Sequence, residues 1–214
     1  MSPVRPAVAP LGPLHRIGRL PDPLAWPPWE AVGGGRFDDP VRRFRVLYAA
    51  SRRRGAFVES LAPFRPALAL LARLGEVTGT DEPVPGARVP PDWYRRRGVA
   101  RLRLAPRQRW LDLRSPATRE ALRRALAAEL LRLGLVDLDL SGVAGPSRAL
   151  TQAIAGWAHE HGYAGLAYAS RIDQRQTCWA VFEGASFEPV GLPEPITPDD
   201  PDLRAVARLF GLAL

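Results

Sequence analysis

The chain contains no lysine: all 30 of its basic residues are arginine, and with 22 acidic residues they give a formal net charge of +8. Uniform arginine with abundant alanine, proline and glycine is typical of a compositional bias of the coding sequence. The arginines are also scattered, with short clusters at 52–54 and 95–97. Nucleic-acid-binding proteins concentrate their cations on one face or stripe. The charge pattern therefore argues against nucleic-acid binding as the main function.

Cysteine and long apolar runs are also scarce. The single cysteine, Cys178, cannot form an internal disulfide, which favours a reducing cytoplasmic compartment. No apolar run approaches the roughly 18 residues of a membrane span. The N-terminal residues MSPVRPAVAPLGP lack the continuous apolar core of a signal peptide. Because the chain has 214 residues and a hydrophobic fraction of 46%, we predict one globular, cytoplasmic domain with no membrane partner.

The chain lacks the residue groups that hold metals and the loops that bind common cofactors. Its histidines are His15, His159 and His161, and the last two point in different directions from a predicted helix, so they cannot share a metal. We predict that both face solvent and that no metal site exists. Cys178 lies within a predicted strand and is interpreted as a small buried residue. No Walker loop, GxSxG elbow or GxGxxG motif is present, so no permanently bound cofactor is predicted.

Hydrophobic periodicity and capping residues predict one α+β domain over residues 14–214, after a flexible proline-rich lead over residues 1–13. The predicted strands are 14–18, 43–50, 98–106, 107–115, 163–170 and 176–184. The predicted helices are 52–62 capped by Ser51, 66–75, 116–134, 147–162 and a short one near 202–214. Residues 76–92 are predicted to be a loop. The helix over 116–134 has the clearest signals, with Ser115 as its cap and Gly134 as its terminator.

Residues 33–60, GGGRFDDPVRRFRVLYAASRRRGAFVES, bring cations, an aromatic and one carboxylate together. The glycines at 33–35 permit a backbone path closed to other residues and let a ligand approach closely. Arg36 can then hold a phosphate through two hydrogen bonds, and the Tyr48 ring can stack on a flat heterocycle. Glu59 follows on a helix that also carries the arginines at 52–54. The other interpretation is a salt-bridged surface helix with a buried structural tyrosine, and the residues alone leave both open.

Several short motifs occur in a fixed order along nearly the whole chain beyond residue 13. They are LHRIG (14–18), GGRF (34–37), VLYAA (46–50), the glutamate of AFVES (56–60), GLAYASR (165–171) and CWAVFE (178–183). Their order and spacing resemble the RES domain, the toxin component of RES–Xre toxin–antitoxin pairs. Two positions depart from the pattern of that family: Phe37 stands where tryptophan is commoner, and DDPVRR replaces an asparagine–proline–glycine turn.

The resemblance implies a set of site residues, position by position. The first arginine of the family falls on Arg16, the arginine of its glycine-rich turn on Arg36, and the tyrosine of its next strand on Tyr48. Its glutamate falls on Glu59 and its serine on Ser170. By this resemblance Glu59, Arg36 and Ser170 are catalytic, and Arg16, Arg36, Tyr48 and Ser170 bind the substrate. The alternatives for the serine are Thr151 and Ser147.

The resemblance also implies an ADP-ribosyltransferase-like fold, a mixed sheet with flanking helices, and NAD+ as the substrate. Cleavage of the nicotinamide–ribose bond builds oxocarbenium character at the ribose, which a carboxylate stabilises. The expected protein is an NAD+ phosphorylase or glycohydrolase, with inorganic phosphate as co-substrate in the first case, neutralised by an Xre-type helix-turn-helix antitoxin. A mono-ADP-ribosyltransferase and a non-catalytic basic module are the alternatives. Nucleic acid would be reached through the antitoxin, and a homo-oligomer stays open.

Overall fold

One mixed β-sheet organises the computed structural model, which describes residues 6–75, 87–145 and 147–214. Its strands are β1 (Pro6–Ala7), β2 (Leu14–Arg19), β3 (Val46–Ala50), β4 (Arg97–Leu104), β5 (Trp110–Asp112), β6 (Gly165–Ala169), β7 (Thr177–Phe182), β8 (Phe187–Pro189) and β9 (Glu194–Pro195). They lie in the order β1-β5-β6-β7-β3-β2-β4-β8, and β9 also pairs with β4. β5 and β6 are parallel, and the other paired strands are antiparallel.

Short helices flank this sheet. They are α1 (Arg53–Leu61), α2 (Leu68–Gly75), α3 (Pro91–Arg95), α4 (Pro116–Ala125), α5 (Ala127–Arg132), α6 (Leu140–Ala144), α7 (Arg148–Glu160) and α8 (Pro201–Leu209). Single turns of 3-10 helix occur at Trp29–Ala31 and Ala62–Phe64. The predicted α+β architecture, a mixed sheet with flanking helices, is confirmed.

Alternating side chains bury both faces of the central strands. On β3, Val46 and Ala50 join a core cluster that also contains residues of α4 to α7, whereas Leu47 and Ala49 join a cluster on the opposite face. A third cluster lies among α1, α3, α8 and β4. Ile17 of β2 packs against the first and the third clusters. Two sets of helices therefore meet over β2 and β3, on the face of the sheet that we call the helix side. One set is α4 to α7, and the other is α1, α3 and α8.

The predicted helix over 116–134 is two helices. Ser115 Oγ accepts a hydrogen bond from the Thr118 N–H, as expected of a cap, and Gly134 has φ of 69°, as expected of a terminator. Leu126, however, takes φ −105° and ψ 16° and ends α4. The break redirects α5 so that Leu130 is buried in the same core cluster as residues of α4. Tertiary packing overrides the continuous helical pattern here.

Several other predictions differ from the structure. Part of the predicted flexible lead is ordered, because Pro6–Ala7 forms β1 and pairs with β5. Ser51 does not cap α1: Arg52 is the first flanking residue, and Ser51 Oγ accepts a hydrogen bond from Trp179 Nε1 at 3.0 Å. Within the predicted loop at 76–92, residues 76–86 lie outside the described part, and Pro91–Arg95 forms α3. The short elements α6, β8 and β9 were not predicted.

Membrane-spanning segments were searched among the described residues. No helix there has both the length and the apolar character needed to cross a membrane.

Candidate functional site

A cavity of about 320 Å³ opens on the helix side of the sheet, between α1 and strands β2, β3 and β6. It brings together Arg16, Arg36, Tyr48 and Glu59, which come from four separate segments of the chain. Ser170 is not part of the lining. The lining residues are Arg16, Ile17, Gly35, Arg36, Tyr48, Ala49, Ala50, Ala56, Glu59, Ser60 and Tyr168.

Glu59 reaches the cavity because α1 turns one face towards it. Ala56, Glu59 and Ser60 are three and four residues apart, so they share that face. Within the described residues Glu59 forms no salt bridge, and its Oε1 atom is buried without a hydrogen-bond partner. The salt bridges of α1 lie elsewhere, since Arg53 binds Asp200 at 2.6 Å and also contacts the start of α8. The structure therefore differs from the interpretation of Glu59 as a salt-bridged surface residue.

Arg16 enters the cavity from β2 and is anchored by backbone carbonyls. Its Nε donates to the Pro23 carbonyl at 2.9 Å, and its Nη1 donates to the Tyr48 carbonyl at 3.0 Å. No carboxylate among the described residues forms a salt bridge with it. Burial lowers the pKa of Arg16 to about 10, against the opposing effect of Tyr48. The guanidinium therefore stays protonated at neutral pH while it has lost much of its hydration.

Arg36 is anchored at the carboxyl end of α6. Its Nη1 donates to the Gly145 carbonyl at 3.1 Å, and its Nη2 donates to the Val143 carbonyl. A cation at the last carbonyls of a helix is favourable, because these carbonyls have no partner within the helix. Burial lowers the pKa of Arg36. Like Arg16, Arg36 forms no salt bridge with any described residue, so two half-buried cations without ion-pair partners face one cavity.

The glycine loop before Arg36 is held by an internal carboxylate. Asp38 Oδ2 accepts hydrogen bonds from the backbone N–H groups of Gly33 at 3.0 Å and Gly35 at 2.7 Å. The Tyr48 hydroxyl donates to Asp38 Oδ1 at 2.7 Å and accepts from the Phe37 N–H at 2.9 Å. A Cβ on Gly35 would lie 2.4 Å from Asp38 Oδ1 and 2.6 Å from the Tyr48 hydroxyl oxygen. Glycine is required at 35 because the loop folds onto these two side chains.

Helix α7 clamps the same loop from the other side. The Thr151 hydroxyl donates to the Arg36 carbonyl at 2.5 Å, with the Arg148 carbonyl 3.0 Å away as a second acceptor. Gln152 Nε2 donates to the carbonyls of Gly33 at 3.1 Å and Gly35 at 3.0 Å. The backbone on which Arg36 stands is thereby fixed by side chains more than a hundred residues later in the chain.

Replacement of the Thr151 hydroxyl tests this clamp. Thr151→Val keeps the shape of the side chain and leaves the Arg36 carbonyl without its donor, so we expect the free energy of unfolding to fall by about 1–2 kcal/mol. Thr151→Ser, which keeps the hydroxyl, is the matched control and should retain that hydrogen bond. Urea denaturation of the three proteins measures the difference. A valine variant that is as stable as the parent while the serine variant is weaker would contradict the clamp.

The three candidates for the serine of the family pattern, Ser170, Ser147 and Thr151, have different surroundings. Ser170 is fully buried, and its Oγ accepts hydrogen bonds from the backbone N–H groups of Ile172 and Asp173, both at 3.1 Å, which shapes the turn between β6 and β7. Ser147 is exposed before α7 and makes no side-chain capping bond. Thr151, through its bond to the Arg36 carbonyl, is in direct contact with a cavity residue.

Tyr168 lines the cavity and was not singled out from the sequence. It lies on β6, is 5% exposed, and packs its ring on Phe37 with the ring centroids 4.6 Å apart. The sequence feature that could have identified it is its position in GLAYASR, two residues before Ser170 and so on the same face of the strand.

Cys178 lies directly opposite Tyr168 on β7 and is fully buried, as predicted. Burial, together with the nearby Glu59 carboxylate, raises the pKa of the Cys178 thiol.

The two histidines of α7 differ in their surroundings. His159 is half-buried and stacks on Phe44 with the ring centroids 4.2 Å apart, so its predicted solvent-facing position is wrong. His161 is exposed and stacks on Trp157. In the described ranges, no group of three or more histidine, cysteine or acidic side chains is placed to hold a metal ion.

The sheet and its flanking helices form an α+β domain, with the cavity between α1 and strands β2, β3 and β6. The family model of the RES domain matches residues 13–206, and the chain belongs to this family. Among solved structures it is similar to a chain of the M. tuberculosis MbcT–MbcA toxin–antitoxin complex, with a TM-score of 0.56 and 17% identity over 89% of this chain and 87% of that chain. At that identity the likeness shows the shared fold. No curated protein matches the chain.

Proposed function

We propose that this protein is the toxin of a toxin–antitoxin pair and that it consumes NAD+ by cleaving the nicotinamide–ribose bond. The observation that carries the proposal is a single cavity lined by two half-buried arginines, Arg16 and Arg36, and one carboxylate, Glu59. Membership of the RES domain family and the fold shared with a chain of a toxin–antitoxin complex support the toxin class.

The charges at the cavity favour an anionic ligand. Arg16 and Arg36 have no salt-bridge partner among the described residues, and burial lowers the pKa of both. A charge that loses part of its hydration is stabilised by a counter-charge, and the two half-buried arginines have backbone carbonyls as acceptors but no carboxylate among the residues that the structure describes. A pyrophosphate would supply the missing partner, since guanidinium groups form charge-assisted hydrogen bonds with phosphate oxygens. Both groups are already oriented by backbone carbonyls.

Glu59 provides the group that the bond cleavage requires. As the bond between the ribose carbon and the nicotinamide nitrogen breaks, the electron pair leaves with nicotinamide and positive charge develops on the ribose. A carboxylate in a cavity of low dielectric stabilises that charge and accepts hydrogen bonds from ribose hydroxyls. Water or inorganic phosphate then attacks the ribose carbon from solution. Glu59 lines the cavity and forms no salt bridge with any described residue, so its negative charge is not neutralised by an ion-pair partner.

The purified protein and NAD+ are sufficient to test the activity. Release of nicotinamide is expected, and its dependence on added inorganic phosphate separates a phosphorylase from a glycohydrolase. Transfer of labelled ADP-ribose to a protein would instead identify mono-ADP-ribosylation. No loss of NAD+ and no label transfer, under conditions where the protein is folded by circular dichroism, would refute the enzymatic function.

The partner that we propose is a small Xre-type helix-turn-helix antitoxin encoded beside this chain. Expression of the chain alone is expected to arrest growth and to deplete cellular NAD+, because the substrate pool is consumed. Co-expression of the neighbouring protein should restore both growth and the NAD+ pool. Growth curves and NAD+ quantification in the same cultures provide the measurement. Growth arrest with an unchanged NAD+ pool would shift the assignment to protein modification.

A further inference from the structure

The two tyrosines of the cavity differ in what their hydroxyl groups already bind. The Tyr48 hydroxyl donates its single proton to Asp38 Oδ1 at 2.7 Å and accepts the Phe37 N–H at 2.9 Å. Gly35 lies so close to it that a Cβ there would be 2.6 Å from the hydroxyl oxygen. The Tyr48 hydroxyl therefore points into the glycine loop, and its proton is not available to a ligand.

The Tyr168 hydroxyl is in the opposite situation. It has no hydrogen-bond partner among the described residues, although the residue lines the cavity and is only 5% exposed. Its ring is held by Phe37 on one side and lies opposite Cys178 on the neighbouring strand. The hydroxyl oxygen is not one of the buried side-chain atoms without a partner among the described residues, so it is reachable from the cavity and can bond a ligand there.

The charge environment keeps this phenol in its donor form. Burial raises the pKa of Tyr168 well above its ordinary value, and the negative charge of Glu59 acts in the same direction. The hydroxyl is therefore protonated at neutral pH and can donate as well as accept a hydrogen bond. Glu59, when ionised, can only accept, and Arg36 can only donate. Tyr168 is thus a group beside them that can do both.

We infer that Tyr168 contributes the hydroxyl that hydrogen-bonds an oxygen of the bound substrate, whereas Tyr48 holds the glycine loop in place. The inference rests on the proposed function, because the substrate it names is NAD+. A ribose hydroxyl or a phosphate oxygen would satisfy the Tyr168 hydroxyl in a cavity where Arg36 and Glu59 hold the neighbouring groups.

A pair of single-atom substitutions separates the two roles. Tyr168→Phe removes a hydroxyl that bonds no described residue, so we expect kcat/KM for NAD+ to fall by about tenfold while Tm stays within about 1 °C of the parent. Tyr48→Phe leaves Asp38 Oδ1 and the Phe37 N–H each without a hydrogen-bond partner, so we expect Tm to fall by several degrees. Cleavage kinetics, calorimetric titration with ADP-ribose and thermal unfolding are measured on both variants and the parent.

The outcomes distinguish this inference from the function on which it rests. If the parent binds and cleaves NAD+ and Tyr168→Phe does so equally well, Tyr168 makes no substrate contact and only this inference fails. A Tyr168→Phe protein whose Tm falls as much as that of Tyr48→Phe would give Tyr168 a structural role instead. If the parent neither cleaves NAD+ nor binds ADP-ribose, the proposed function and this inference fail together.

Discussion

Glu59→Gln is expected to lower NAD+ cleavage by on the order of a hundredfold or more, the range typical of losing one electrostatic stabiliser. Glutamine keeps the shape and hydrogen-bonding capacity of the side chain but removes its charge. Since that charge acts mainly in the transition state, turnover should fall much more than NAD+ affinity, which should stay within a few-fold. The substitution breaks no salt bridge in the described structure, so stability should be little changed. Single-turnover cleavage and a binding titration on the same preparation measure the split.

The matched control for this substitution is Glu30→Gln, because Glu30 is exposed and lies outside the cavity lining. It should cleave NAD+ at the parental rate. Expression of the Glu59→Gln protein should also no longer arrest growth. Equal cleavage by Glu59→Gln and the parent would show that Glu59 has no part in the chemistry, whatever the cavity binds.

The second large effect is expected at Arg36. Arg36→Lys keeps the charge, but a lysine ammonium lacks the planar fork whose two nitrogens bind the carbonyls of Gly145 and Val143 and whose remaining N–H groups can bind a phosphate. We expect kcat/KM for NAD+ to fall by tens-fold or more, about 2–3 kcal/mol, as for lost charge-assisted hydrogen bonds. Steady-state kinetics give the magnitude, and circular dichroism establishes that the variant is folded.

Arg54→Lys is the control for the Arg36 experiment, because Arg54 is an exposed arginine of α1 that does not line the cavity. It should leave turnover unchanged, which would exclude a general effect of replacing arginine in this chain. Parental turnover by a folded Arg36→Lys protein would remove Arg36 from the substrate-binding site and leave it as a capping residue of α6.

Local sequence patterns predict the elements on which the site stands. Side chains alternate between the two faces of β3, so Tyr48 lies on the same face as Val46 and Ala50. The helical spacing of α1 places Glu59 on the face that carries Ala56. The short strand at 14–18 was predicted nearly to its end, and it delivers Arg16. Tyr48, Glu59 and Arg16 can be predicted to face the cavity because the periodicity of each strand or helix determines the direction of its side chains.

Local sequence patterns do not predict which hydrogen-bond partner each polar side chain has in the folded protein. The DDPVRR turn departs from the family pattern but does not reveal what Asp38 binds, which is two backbone N–H groups and the Tyr48 hydroxyl. The grip of Arg36 on Gly145 joins positions 109 residues apart, which no window of the sequence can reveal. Ser170 was assigned by resemblance, whereas its surroundings are those of a turn residue. Such pairings depend on the tertiary fold, so local pattern alone leaves them open.

The long-range clamp on the glycine loop also bears on the order in which a ribosome makes this protein. Arg36, Glu59 and Tyr48 leave the ribosome early, but the α7 side chain that holds the Arg36 carbonyl lies 115 residues later. Central strand β3 likewise gains its β7 neighbour only when residues 177–182 have been made. Because synthesis proceeds from the N-terminus at roughly 5–20 residues per second, a nascent chain carries these three side chains for several seconds without the clamp. Assembly of the cavity therefore has to wait for the last third of the chain.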